Sequence, residues 1–156
     1  MENINLPIGK KAEMLDKTNW ADEFSWKEIE NLVKYFHVAK AAAGATIINE
    51  GEHDAYMCII AEGSVSVIKE NMASQNKILS TVKKGKTFGE MTLFDGEARS
   101  ASVKAAEQTV MLVLTRDKLN LLLEESPKLG IKLLHKLGTL ISQRLRMTSG
   151  MLIDYI

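Results

Sequence analysis

Apolar residues change their period twice along this chain. Between Ser25 and Phe36 they fall at Ile29, Leu32, Val33 and Phe36, steps of three and four that predict a helix with one apolar face. Ser25 and Glu28 supply the capping-box signature of its start. From Gly44 to Leu114 the helical step disappears. Short β-rich runs (ATII, YMCIIA, SVSVI, KILSTV, KTF, TVMLVL) alternate with Gly51, Gly63, Gly85 and the polar loop KENMASQN. About seven strands in roughly seventy residues leave no room for crossover helices, so the pattern predicts a mainly β fold with flanking helices, an antiparallel, jelly-roll-like β-roll. NKILSTV and TVMLVLT both read as buried strands. After Leu114 the helical period returns in TRDKLNLLLEES, capped by Thr115, and Ser126 with Pro127 restarts the chain as N-cap and first helical residue.

From Pro127 to about Tyr155 no further proline interrupts, and some 28 helical residues would extend about 42 Å, more than a roll of this size can cover. Leu134, Leu137, Ile141, Arg144, Thr148, Met151 and Tyr155 step by three and four without a slip, which predicts a two-helix seam and a homodimer through the C-terminal helix. Arg144 and Thr148 are polar within that stripe. They serve either to specify register or to contact a ligand. The organisation that follows is an N-terminal segment, 1–24, mixed and polar around Pro7 and Gly9; a helix plus roll, 25–125; and the long helix, 126–156.

Composition narrows the function classes. The 156 residues carry 20 Lys and Arg against 20 Asp and Glu, so no basic field favours nucleic acid. Cys58, the one cysteine, excludes an internal disulfide and reads as a buried, inert thiol, in keeping with a reducing cytoplasm. No signal-like N-terminus and no spanning apolar run is present, so no membrane association is expected. His37, His53 and His135 are scattered, and no nucleophile elbow, phosphate loop of the Walker type or paired catalytic carboxylate occurs. Neither a metal site nor an enzyme is predicted.

The distinctive chemistry lies in GKTFGEMTLFDGEARSASV, residues 85–103, where Glu90 and Arg99 enter a strand-rich region. A guanidinium taken from water loses several kcal/mol unless compensated. Arg99 must therefore reach solvent, pair with a carboxylate, or await an anion that is not part of the chain.

That cassette, with AGATIINEGE and CIIAEGSVSV before it, resembles the cyclic-nucleotide-binding domain family over roughly residues 15–155. QRLRMTS, Gln143–Ser149, resembles the long dimer helix of the bacterial cyclic AMP receptor branch. The resemblance implies a ligand-binding set of Phe88, Gly89, Glu90, Met91, Arg99, Ser100 and Ala101 in the cassette, with Arg144, Thr148 and Ser149 on the helix. Arg99 would give the cyclic phosphate a charge-assisted contact. A short helical turn beginning near Gly89 would offer it backbone N–H groups, and Ser100 a hydroxyl. Glu90, an acceptor beside an anion, suits a ribose 2′-hydroxyl. Thr148 and the partner subunit's Ser149 would meet the base, which favours cyclic AMP over cyclic GMP. The receptor branch continues into a helix-turn-helix module, whereas this sequence stops at Ile156. Direct DNA binding is not expected, and the signal would pass to a separate, unidentified effector protein. The alternative is a dimeric scaffold or interaction module that has lost or changed its ligand.

Overall fold

The computed structural model describes residues 1–153, with side chains to Met151; Tyr155 of the expected seam lies outside them. Two compact units are distinguished, Met1–Leu119 and Asn120–Ile156.

The first unit opens with strand β1 (Glu2–Ile4), helix α1 (Ile8–Asp16) and a 3-10 turn at Asn19–Glu23, followed by helix α2 (Trp26–Leu32). Strands β2 (His37–Ala41), β3 (Thr46–Ile48), β4 (Tyr56–Glu62), β5 (Ser64–Glu70), β6 (Asn76–Lys83) and β7 (Thr87–Phe88) lead to helix α3 (Glu90–Asp95) and strands β8 (Ser102–Ala105) and β9 (Thr109–Thr115). Two antiparallel sheets result, ordered β1-β2-β9-β4-β7 and β3-β8-β5-β6. The predicted strands are all present, and the β-roll with flanking helices is the fold.

The capping box forms as read. Ser25 Oγ accepts from the Glu28 N–H at 3.2 Å, and Glu28 Oε1 accepts from the Ser25 N–H at 2.9 Å. Ile29, Leu32, Val33 and Phe36 are buried, as their spacing requires. The polar opening segment is more structured than its pattern suggested. Its β1 pairs with β2, α1 packs on α2, and Ala12, Leu15 and Trp20 enter the core.

The roll interior is filled by Ala39, Ile48, Cys58, Ile60, Val65, Phe88, Val103, Met111 and Val113. Alternate residues of β4 and β9, namely Met57, Ile59, Leu112 and Leu114, are equally buried, so both strands are covered on two faces. That explains their continuous apolar runs. The matching expectation for NKILSTV is corrected: β6 is an edge strand, and Ile78 and Leu79 are 69% and 59% exposed. The register skips Leu79 at a bulge opposite Val67 and Ile68, so Ile78 and Leu79, consecutive and apolar, fall outside the alternation that marks a half-buried strand.

In the second unit, helix α4 (Arg116–Glu125), which begins in the first, is followed by α5 (Pro127–Ile153). Thr115 Oγ1 caps α4 by accepting from the Lys118 N–H at 3.2 Å. Leu123 lies against Gly130, where a β-carbon would collide with it, so glycine permits the close approach of the two helices. On α5, Leu129, Leu133 and Leu137 are buried within the single chain. Leu137 is therefore withdrawn from the expected seam. Ile131, Leu145 and Met151 are 58%, 66% and 60% exposed. The accessible stripe is thus rotated to Ile131, Leu134, Gly138, Ile141, Leu145 and Thr148, again at steps of three and four. Among the described residues no helix is long and apolar enough to cross a membrane.

Candidate functional site

Arg99 is anchored before any ligand is considered. Its backbone N–H donates to the Glu52 carbonyl at 2.7 Å, and its carbonyl accepts from the Gly51 N–H at 2.9 Å. This fixes the end of the cassette to the segment between β3 and β4, and Glu50 N–H donates to Ser102 Oγ at 2.9 Å alongside. The side chain then turns inward and is 5% exposed.

Sequence reasoning allowed the guanidinium three ways of being tolerated. The structure supplies a fourth. Nη1 donates to the Gly89 carbonyl at 2.8 Å, and Nη2 donates to the carbonyls of Asp54 and Tyr56, each at 2.7 Å. The Tyr56 ring lies beneath the charge, 4.8 Å from the guanidinium carbon, a favourable cation–π distance. Backbone carbonyls carry partial negative charge and two lone pairs each, so they offset desolvation without a carboxylate. Burial still lowers the Arg99 pKa from its ordinary value, while the anionic forms of Tyr56, Cys58, Asp54 and Glu90 act to raise it. An arginine starting so far above neutrality stays charged.

Gly89 makes this geometry possible. It is the N-cap of α3 at φ +83, in the left-handed region that side chains disfavour. A β-carbon there would meet Arg99 Nη1 and the Tyr56 carbonyl oxygen, both at 3.0 Å. Only glycine gives carbonyl, guanidinium and helix start one location. The expected helical turn is α3, which packs against β4. Its first residue, Glu90, is 3% exposed.

The cassette residues come together within the first unit. Phe88, Glu90 and Arg99 are buried, Gly89 and Ala101 are half-buried, and Ser100 and Met91 are exposed. Arg144, Thr148 and Ser149 belong to the second unit, all exposed on the last turns of α5. Thr148 Oγ1 there donates to the Arg144 carbonyl at 3.0 Å. An open groove of about 660 Å³ runs along α5, lined by Ile131, Leu134, His135, Gly138 and Ser142 among others, with no cassette residue in its wall.

Three neighbours complete the surroundings of Arg99, and two of them, Tyr56 and Lys69, went unseen in the sequence. Cys58 is fully buried, and burial pushes its thiol up to about 12, against the opposing pull of Arg99; it is an inert packing group, as expected. Tyr56, which donates its hydroxyl to the Ile47 carbonyl at 3.0 Å, is likewise pushed up to about 12, chiefly by burial. Lys69 on β5 was not singled out, yet it donates to the Ser100 carbonyl at 2.7 Å and to Glu50 Oε1 at 3.2 Å. No local motif marks it, since its partners lie 31 and 19 residues away.

Comparison with known proteins bears on this arrangement. The family model described as the cyclic nucleotide-binding domain matches residues 38–126. The cyclic AMP receptor protein of Thermus thermophilus is 30% identical over 120 residues, which cover 77% of this chain and 54% of that protein. The chain thus spans about half the length of the curated cyclic AMP receptor relatives it matches. Among solved structures, a cyclic nucleotide-binding domain from Methylobacillus flagellatus KT superposes with a TM-score of 0.83 at 32% identity, covering 96% of this chain and 84% of that one. The catabolite activator protein of Thermus thermophilus gives 0.72 at 28% identity, covering 87% and 60%.

Proposed function

The chain belongs to the cyclic nucleotide-binding domain family, and from that premise we propose that it is a non-catalytic sensor of a cyclic nucleotide, cyclic AMP in preference to cyclic GMP. The observation that carries the proposal is the buried, pre-positioned Arg99 beside the start of α3. A cyclic phosphodiester has one negative charge and no metal of its own. Its desolvation is best offset by a fixed cation and aligned N–H donors that need no reorganisation.

In this reading Arg99, Ser100 and the backbone of Gly89, Met91 and Ala101 receive the phosphate, Glu90 accepts from the ribose 2′-hydroxyl, and Phe88 walls the cassette. Arg144, Thr148 and the partner subunit's Ser149 read the base. The chain works as a homodimer through α5, whose exposed Ile131, Leu145 and Met151 would otherwise face water. Ligand-dependent ordering of the last turns of α5 passes the signal to a separate effector protein.

A second reading has its own support. The three carbonyls around Arg99 stabilise the guanidinium without any ligand, so the same geometry could serve a dimeric scaffold. Calorimetric titration with cyclic AMP, cyclic GMP and linear AMP separates the two. The sensor takes cyclic AMP most tightly and linear AMP hardly at all; no heat with either cyclic nucleotide at millimolar concentration leaves the scaffold.

A further inference from the structure

The half-exposed side chain of Lys69 does more than decorate the rim. Residues 99–102 are tied to segment 50–52 by three bonds: Arg99 N–H to the Glu52 carbonyl, Gly51 N–H to the Arg99 carbonyl, and Glu50 N–H to Ser102 Oγ. Between the last two lies the Ser100 carbonyl. Its acceptor is met from a different direction, by Lys69 Nζ on β5, at 2.7 Å. Glu50 holds the same ammonium at 3.2 Å, so Lys69 joins three segments that are distant in sequence.

An isolated ion pair at 48% and 35% side-chain exposure would contribute little. The bond to Ser100 has a different consequence, because a trans peptide is planar and its C=O and N–H point in opposite directions. No cis bond occurs in the described chain. Drawing the Ser100 carbonyl towards β5 therefore turns the Ala101 N–H away from β5. We propose that Lys69 is a positioning residue that aims the Ala101 N–H at the bound anion, and that it makes the β5–β6 hairpin part of the phosphate cradle.

This rests on reading the cassette as the anion site. The charge acts in the same sense as the geometry but weakly, since Glu50 offsets much of the ammonium's field; what remains on the Ser100 carbonyl adds to the field of Arg99, more so at low salt. Without Lys69 the Ser100 peptide would keep its flanking bonds but lose the one that sets its tilt.

The test compares wild type, K69M and K69R in the full chain. Calorimetry with cyclic AMP reads affinity, and amide NMR follows the Ala101 proton during titration. In wild type that proton should move downfield as it bonds to the phosphate. K69M should bind about tenfold more weakly, the equivalent of one lost charge-assisted bond, and the Ala101 displacement should largely vanish. K69R should restore both to within about threefold, since it keeps charge and reach. All three should melt within about 2 °C of one another, Lys69 being half exposed. Binding by K69M within twofold of wild type, or an unaltered Ala101 displacement in K69M, overturns the inference and leaves the sensor reading standing. A wild-type chain that takes no cyclic nucleotide overturns both.

Discussion

Replacing Arg99 with leucine should weaken the fold as well as remove the anion contact. The substitution strips donors from the carbonyls of Asp54, Tyr56 and Gly89, all close to a side chain that is 5% exposed. A buried acceptor left without its bond costs about 1–3 kcal/mol. Three would cost several times that, but leucine also escapes the desolvation of a guanidinium, which is itself several kcal/mol. The two effects leave a net loss of about 3 kcal/mol, three neutral acceptors at about 1–3 kcal/mol each less the several kcal/mol of desolvation that leucine avoids. At about 2–4 °C per kcal/mol for a chain of this size, melting should fall by roughly 10 °C. Loss of nucleotide binding in Arg99→Leu would then say little about the phosphate. Arg99→Lys is the sharper variant, because it keeps the charge while losing the planar fork that reaches two carbonyls with one nitrogen. It should retain about half the lost stability and bind cyclic AMP at least tenfold more weakly. Differential scanning calorimetry and urea unfolding measure the first effect, titration the second. Arg99→Leu melting within 2 °C of wild type would refute the account of the carbonyls as a structural anchor and return Arg99 to a purely ligand-directed role.

Gly89→Ala should cost at least about 1 kcal/mol, since a left-handed φ of +83 is combined with two 3.0 Å contacts, and it should displace the guanidinium; circular-dichroism melts and titration report both. Ser25→Ala should lower stability by about 1 kcal/mol through loss of the capping box while leaving nucleotide affinity unchanged, which the same two measurements check. Cys58 should resist a thiol reagent at pH 8 until the chain is unfolded. Its folded pKa of about 12 lies above the ordinary 9, so the unfolded state releases its proton first and stability should fall as pH rises from about 9 towards 12, by up to about 1.4 kcal/mol per unit. Leu145→Glu should shift sedimentation from dimer towards monomer, because it places a charge in the accessible stripe of α5.

Much of this molecule is written locally. The capping box, the Thr115 cap, the glycine-punctuated strands and the cassette each announce themselves within a few residues. The opening segment does not. β1 has three residues, and of the nine in α1 only Ala12 and Leu15 are buried, too few to make a periodic signal around Pro7 and Gly9. The rotation of the α5 stripe was also hidden, because a leucine at 137 reads alike whether it is buried within its own chain or offered to a partner. Two of the three carbonyls around Arg99 come from main chain more than 40 residues away, and main-chain acceptors have no letter in a sequence. Lys69 is another case of the same kind. Its role is set by which carbonyl the roll brings beneath it.

The outer edge of the β5–β6 hairpin has a bearing on how the protein behaves in concentrated solution. An edge strand offers a row of N–H and C=O groups to any similar strand, and β6 adds the exposed pair Ile78 and Leu79 to that invitation. Two molecules meeting edge to edge in antiparallel fashion about Ser80 would set Lys77 of each opposite Lys83 of the other. Like charges directly opposed across a ladder are destabilising, so the contact is discouraged at both ends. The protection is electrostatic and therefore screened, with a reach of about 10 Å at 0.1 M salt but only about 3 Å at 1 M. Crowded, high-salt conditions should thus bring fibrous or gelling association through β6, and neutralising either lysine should bring it on sooner.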